Sequence, residues 1–537
     1  MTEEIKLCDE DYDVVGAILP KDNRDKNILN IDKYTWSTVV NMYVNALDNS
    51  YVHQLQWTPL KNMKVLSTDS FYNKYVQDSS IVVLNAFWFK CRSYVMRPDG
   101  NVRSVTLVSP LIFLVIECFG RMIYQKHNKN TDTRLKRYYS GNYDDNDPKY
   151  RTSYMSYCKD VNHESGFSYY IKTDIKNFYD SISIDLLFDK IIEKTDNDPH
   201  LYSFHFFKEL LKYAGYGKYP TIDNSVALSY LASMLFLEDV DTDLSSYIQS
   251  IPIIKDYKLI RYQDDMYVLF NTHNILSDNE LDSICSRIEK HYATTLSNIG
   301  LTMNLDKEKH GGANEINLVQ INLSYNDSYP AFEGTINENE LHEHFNYYLD
   351  ALEKYDGLIN FKTYQDIISS TFIHHAKVGE VQNIERSPNE NYNFFVYKYK
   401  QSDTEVERLI SVVNNHPDLT FLDPKRLFTI AKNTSDENLR QRLFNSLLWP
   451  VHNNSDNNEW DAYCLISGIE YLLKTDGMCH KKLRINIKNH NPGVDQFIVH
   501  YCNCLSRTIK EDSKESFRIF LTKKPRAFFC LFNVNDI

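Results

Sequence analysis

Asp264 and Asp265 are adjacent carboxylates inside the string Arg261-Tyr262-Gln263-Asp264-Asp265-Met266-Tyr267-Val268-Leu269-Phe270. Side by side they repel each other, a cost that a bound cation removes. Magnesium takes oxygen ligands, usually one or two carboxylates together with substrate phosphates. The pair is therefore a candidate ligand set for nucleotidyl transfer. Aspartate also favours turns for purely local reasons, so the pair alone fits a structural hairpin equally well. Asp174, ninety residues upstream, supplies what a catalytic site would still need. Two ions about 3.5–4 Å apart clamp the attacking and leaving oxygens in such chemistry, and one strand cannot surround both.

The flanking residues indicate how these side chains are positioned. Leu259, Ile260 and Tyr262 precede the pair and Tyr267 to Phe270 follow it, which reads as two short strands with the acids at the turn. Phe167 to Asp174 is rich in aromatic and β-branched residues and predicts another strand. Ser183 predicts the N-cap of a helix through Leu186, Leu187, Ile191 and Ile192. Tyr219 to Ser225 leads into a long apolar helix through Leu228, Leu231, Leu235 and Leu237. The apolar run from Val105 to Phe119 is broken by Ser109, Pro110 and Glu117. It is too short to span a bilayer and reads as a buried element.

Asp174-Ile175-Lys176-Asn177-Phe178-Tyr179-Asp180-Ser181-Ile182, followed by Tyr262-Gln263-Asp264-Asp265, resembles motifs A and C of reverse transcriptases. The Tyr219–Ser225 segment and its helix stand where motif B belongs, and Leu296 to Lys307 resembles motif D. The order A, B, C, D holds, and the resemblance covers roughly residues 80 to 325. It implies an α+β right-hand fold, with fingers and palm built on an antiparallel sheet with packed helices. A helical-repeat-like all-α domain would follow. It further implies Asp174, Asp264 and Asp265 as catalytic residues and ligands of two magnesium ions, with manganese as a substitute and the Ile175 backbone carbonyl as a further ligand. Tyr179, five residues after Asp174, falls at the sugar gate, which implies a preference for deoxynucleoside triphosphates; a core-packing tyrosine is the competing reading. Arg103, in Gly100 to Val105, resembles the fingers arginine whose fork holds a triphosphate, or is a surface arginine on a hairpin. Lys307 resembles the motif D lysine that protonates leaving pyrophosphate. Asn224 and Ser225 fall at nucleotide-binding positions.

Where most of the family has Pro-Gln-Gly in motif B, this chain has Pro220-Thr221-Ile222. That departure resembles bacterial abortive-infection and related defence-associated reverse transcriptases. The resemblance implies a bacterial cytoplasmic DNA polymerase acting against phage, primed from a protein tyrosine and able to work without a template. Its single-stranded DNA product would then be covalently attached, and a homo-oligomer is implied. None of the 39 tyrosines is singled out as the primer. Two other readings stand: a reverse transcriptase copying a dedicated non-coding RNA, and a non-enzymatic scaffold with a dead palm. The intact Asp174, Asp264 and Asp265 argue against the scaffold.

At 537 residues the chain has room for two or three domains. The acidic start Met1-Thr2-Glu3-Glu4 shows no signal pattern, and no membrane partner is expected. A net charge of −13 argues against a constitutive nucleic-acid binder. Yet Lys481 to Arg526 holds eleven Lys or Arg against four Asp or Glu, and Arg121 to Arg151 eight against four. These segments could line a product channel or be solvated surface. Cys479, His480, His500, Cys502 and Cys504 invite a zinc site but lack a C-x-x-C knuckle, so scattered intracellular thiols are the simpler reading. Turn-formers at Asn326 to Pro330 and Glu333 to Thr335 divide the chain. Residues 1–335 would be fingers and palm, with N-terminal helices to about 80, and 336–537 the helical domain. There, Leu341, Phe345, Tyr348 and Leu352 recur at helical spacing. Asp423 with Pro424 predicts a helix start, as does Ser435 for Leu439, Leu443 and Leu447. Trp460 to Ile469 predicts a further helix. A stack of helical hairpins and an irregular thumb both fit.

Overall fold

The computed structural model of the protein describes residues 28–46, Gln56, most of 64–313, Ile316 and most of 338–453. Helix α1 (Lys33–Ala46) starts from Asp32, whose carboxylate accepts the Thr35 amide at 2.8 Å. A hairpin of β1 (Lys90–Met96) and antiparallel β2 (Val102–Val108) leads into α2 (Pro110–Lys126). The Ser109 hydroxyl accepts the Ile112 amide at 3.1 Å, and Pro110 occupies the first helical position, where a missing N–H costs nothing. The apolar run of the sequence is thus a strand end joined to a helix, and residues 110–121 of that helix are all buried.

The chain continues through β3 (Leu135–Tyr138), α3 (Tyr150–His163), β4 (Tyr169–Thr173), the single turn α4 (Phe178–Ser181) and α5 (Ile184–Thr195). Ser183 caps α5 through the Leu186 amide at 3.3 Å. Next come α6 (Tyr202–Ala214) and α7 (Val226–Tyr230), which runs on through a π turn at Leu231–Phe236 into α8 (Glu238–Gln249). Leu228, Leu231, Leu235 and Leu237 are all buried along that path. Strands β5 (Ile254–Tyr262) and β6 (Asp265–Thr272), helix α9 (Asp278–Asn298) and β7 (Lys309–Gly312) complete the first region.

Five strands form one sheet in the order β3-β5-β6-β4-β7. Four of them pair antiparallel, as expected for the palm; β3 joins β5 in parallel, which makes the sheet mixed. Parallel pairing needs a long crossover, and here the helices and strands between residues 139 and 253 supply it. Side chains alternate between the two faces of a strand. Ile171, Leu259, Met266, Val268 and Phe270 join the main core with α2, α5, α7 and α9. Tyr170, Ile260, Tyr262, Tyr267 and Leu269 face the other way and are covered by Tyr157, Cys158 and Val161 of α3. Burial on both faces explains why these strands read as unbroken apolar and aromatic runs.

A second core gathers the helices beyond residue 338. These are α10 (Glu338–Lys354), α11 (Phe361–Thr371), α12 (Asp403–Asn415), the short α13 (Leu419–Leu422), α14 (Pro424–Asn433) and α15 (Glu437–Asn453). Between α11 and α12 lies a small hairpin of β8 (His375–Lys377) and β9 (Asn383–Glu385), an addition to the helical expectation. Phe345, Tyr348 and Leu352 are buried, as their spacing predicts; the Leu341 side chain lies outside the description. Asp423 does precede α14, but its carboxylate accepts from the Tyr364 hydroxyl (2.7 Å) and Arg426 (3.1 Å) instead of capping helix amides. The next helix starts one residue later than expected, because Asp436, not Ser435, accepts the Leu439 amide at 2.8 Å. The Trp460–Ile469 helix, the Cys479–Cys504 group, the Lys481–Arg526 basic segment and the turn-rich 326–335 divider all lie outside the described residues. Among the described residues, no helix is long and apolar enough to cross a membrane.

Candidate active site

The β5–β6 hairpin brings Asp264 and Asp265 to the sheet end through a two-residue turn, with Gln263 in the left-handed region at φ 55°. Such a turn needs support from below, and Arg261 provides it. Its guanidinium is 1% exposed and forks onto Asp241 of α8 at 2.6–3.1 Å. It also donates to the Tyr292 hydroxyl of α9 (3.0 Å) and to the Gln263 carbonyl (3.4 Å). Burial would lower the Arg261 pKa, but Asp241 and Tyr292 outweigh it and hold the cation firmly charged.

Asp174 leaves β4 beside this hairpin. Its backbone is held by the segment after α9: the Asn304 amide donates to the Asp174 carbonyl at 2.8 Å, and the Lys176 amide to the Thr302 carbonyl at 2.8 Å. Between them Ile175 bridges Met303, and because the flanking residues make both bonds, the Ile175 carbonyl takes no part in that pairing. The Asp174 side chain is held too. Asn304 Nδ2 donates to Oδ2 at 2.7 Å, and Lys307 Nζ lies 3.2 Å from the same oxygen.

Asp174, Asp264 and Asp265 thereby come together: each offers a carboxylate oxygen, and these lie within 4.8 Å of one another. Among the described residues no other group of His, Cys, Asp or Glu does this. Burial raises the Asp265 pKa and the Asp174 charge adds to the rise, while Lys172, Lys307 and Arg261 oppose it. A site that disfavours its own second negative charge favours a cation. Oxygen-only donors suit a hard divalent ion such as magnesium or manganese.

A cavity of about 240 Å³ opens beside the hairpin, walled by Tyr150, Tyr179, Gln263 and the loop from Pro220 to Ser225. The Tyr179 hydroxyl donates to Gln263 Oε1 at 3.2 Å, and its ring stacks on Tyr219 with centroids 6.0 Å apart. Gln263 Nε2 in turn donates to the Ser229 hydroxyl at 3.1 Å. Asn224, at φ 55°, and Ser225 both line the cavity. The Ser225 hydroxyl is engaged inward, donating to Glu117 at 2.5 Å and accepting the Leu228 amide at 3.2 Å. Arg103 sits on β2 opposite Val95; its side chain lies outside the description. In the basic Arg121–Arg151 segment, Arg134 pairs with Asp132, Lys136 with Asp160 and Arg137 with Glu238. Those three charges are matched by carboxylates within the fold.

Sequence reasoning missed Asn304, Gln263 with Ser229, the Arg261–Asp241 pair and the role of Glu117. Asn304 had a signal, three residues before Lys307. Glu117 had one as a lone carboxylate in an apolar run. Nothing local marked Asp241 as the partner of Arg261.

Residues 118–319 match the family described as reverse transcriptase (RNA-dependent DNA polymerase). Residues 335–499 match a family described as a domain of unknown function (DUF8609). No curated protein matches the chain. Among solved structures, apo telomerase from Candida tropicalis is 13% identical over 94% of this chain and 91% of that one, with a TM-score of 0.26. The family match identifies residues 118–319 as a reverse-transcriptase domain and supports nucleotidyl transfer by a DNA polymerase of that type.

Proposed function

We propose that the chain is a magnesium-dependent DNA polymerase that joins deoxynucleotides without needing a nucleic-acid template, primed from one of its own tyrosines, and that it serves anti-phage defence by abortive infection. One observation carries the reading: Asp174, Asp264 and Asp265 converge beside a cavity walled by Tyr179 and by the loop that lacks Pro-Gln-Gly. The three carboxylates would hold the metal, with the Ile175 carbonyl as a further oxygen. When bound there, magnesium lowers the pKa of the attacking hydroxyl and neutralises charge on the phosphates.

The remaining work belongs to the chain's own side chains. Asn304 orients the Asp174 carboxylate. Lys307 stands close enough to that carboxylate to meet the leaving pyrophosphate and give it a proton. Tyr179, steadied by Gln263, is assigned to the sugar gate, where its ring would collide with a ribose 2′-hydroxyl and favour deoxynucleotides. Asn224 and Arg103 are assigned to the incoming nucleotide. In the first step a tyrosyl oxygen attacks the α-phosphorus, a phosphodiester forms and pyrophosphate leaves; later steps use the 3′-hydroxyl of the attached strand. The polymerase region is assigned to residues 1–335. The helical region beyond is assigned to assembly of copies of the chain, and the second family match beginning at residue 335 supports that boundary.

The experiment is an incubation of purified protein with magnesium and each labelled deoxynucleotide, with and without added RNA. Incorporation without RNA, a nuclease-sensitive gain in protein mass, and loss of both in Asp264→Asn with Asp265→Asn support the reading. Retained activity in that double variant sinks the site assignment, and incorporation without attached mass sinks self-priming. The family description as RNA-dependent favours one second reading, a reverse transcriptase copying a dedicated non-coding RNA. A defined co-purified RNA complementary to the product would select it.

A further inference from the structure

We propose that Glu117, on helix α2, is a positioning residue for the nucleotide cavity, holding the Pro220–Ser225 loop and the start of α7 in place through its buried carboxylate. The inference rests on the cavity being the nucleotide site. Glu117 is 0% exposed, 108 residues from its nearest partner in that loop, and touches no substrate space itself. Its Oε1 accepts the Ser225 hydroxyl at 2.5 Å and its Oε2 the Ala227 amide at 3.1 Å. The Tyr43 hydroxyl of α1 donates to the same carboxylate and accepts the Val226 amide at 3.5 Å. With the Leu228 amide on Ser225 Oγ, the first three amides of α7 all find acceptors in this one cluster. Those amides have no partner within the helix.

The surroundings make the clamp rigid. Gly120, one turn further along α2, packs so closely on α7 that an added Cβ would come within 2.3 Å of the Ala227 Cβ. The far end of the loop is tied down separately, the Thr106 amide of β2 donating to the Thr221 carbonyl at 2.7 Å. The loop between these anchors supplies the cavity wall. A loop without the Gln-Gly pair thus takes its shape from neighbours in the fold. The titratable groups facing Glu117 are Tyr43 of α1, Tyr143, Tyr219 and its own neighbour Cys118, and burial pushes each of these up, so all stay neutral around pH 7. Glu117 is pushed up to about 7 by burial, partly offset by its bonds to Ser225, Tyr43 and the α7 amides. Protonation turns one acceptor oxygen into a donor, which the Ala227 N–H cannot use.

The test is Glu117→Gln, which keeps the shape but leaves one acceptor oxygen for the Ser225, Ala227 and Tyr43 donors. Expected are faster hydrogen exchange at the Val226–Leu228 amides and a KM for deoxynucleotide raised about tenfold, with kcat within about twofold. A rise in kcat/KM through about pH 7 should be present in the wild type and absent in the variant. If the variant does not fold, Tyr43→Phe, which removes the hydroxyl bonds to Glu117 and from the Val226 amide but leaves the Ser225 and Ala227 bonds in place, should move the same quantities by a smaller factor. Unchanged KM, or a pH limb that persists in the variant, overturns the positioning role even if exchange speeds up. A wild type that incorporates no nucleotide would instead refute the polymerase reading, and exchange at these amides would still decide the clamp.

Discussion

Replacing Arg261 by methionine should uncouple the acidic hairpin from the helices beneath it. The variant removes a guanidinium that is 1% exposed and leaves Asp241, also 1% exposed, as a buried charge without its partner. Removing one partner of a buried pair costs about 3–5 kcal/mol, because the surviving ion keeps its desolvation penalty. Domains are stable by only about 5–15 kcal/mol, so this single change takes a large part of the total. With a urea m-value of about 2–3 kcal/mol/M, the unfolding midpoint should fall by about 1–2.5 M. Asp241→Leu added to Arg261→Met removes both charges and should recover most of the loss, since an apolar pair of similar volume is often as stable as the ion pair it replaces. Turnover should not recover with it, because the double variant still lacks the Arg261 bond to the Gln263 carbonyl that steadies the turn. Urea unfolding followed by near-ultraviolet circular dichroism, alongside deoxynucleotide incorporation, separates the two effects. A single variant within about 1 kcal/mol of the wild type, or a double variant no more stable than the single, would refute the argument.

Asn304→Ala should raise the magnesium concentration for half-maximal incorporation by about tenfold or more, as loss of a group orienting a metal ligand does; an unchanged magnesium titration removes it from the site. Tyr179→Ala should increase ribonucleotide relative to deoxynucleotide incorporation, and an unchanged ratio would leave Tyr179 as a packing residue. Burial alone would raise the Glu238 pKa, but His127, the Asn130 amide and Arg137 outweigh it and hold this carboxyl well below its ordinary value. A depressed folded pKa stabilises above the unfolded value of about 4.3 and loses that contribution as pH falls. The stability gap between wild type and Glu238→Gln should therefore be full at pH 7 and narrow below about pH 4.5, as urea midpoints across pH would show. Tyr364→Phe takes a hydroxyl from Asp423 in the second core and should cost about 1–3 kcal/mol, read as a lower thermal transition.

The features legible in the amino-acid order are local ones. Strand pairs, helix starts and the acidic turn follow from side-chain periodicity and from capping residues such as Ser183, which act over a few positions. The order of four short motifs was enough to indicate a polymerase palm and to select Asp174 as the companion of Asp264 and Asp265. What stands behind those side chains is set by long-range packing. Arg261 finds Asp241 twenty residues away, Asn304 reaches Asp174 across 130, and Glu117 meets Ser225 across 108. Those partners are chosen by the packing of whole helices and strands. A buried charge requires a counter-group but does not say which residue supplies it. The same physics made Glu117 look like an interruption of an apolar run, when in the fold it is the acceptor that closes the start of α7 and shapes the cavity wall.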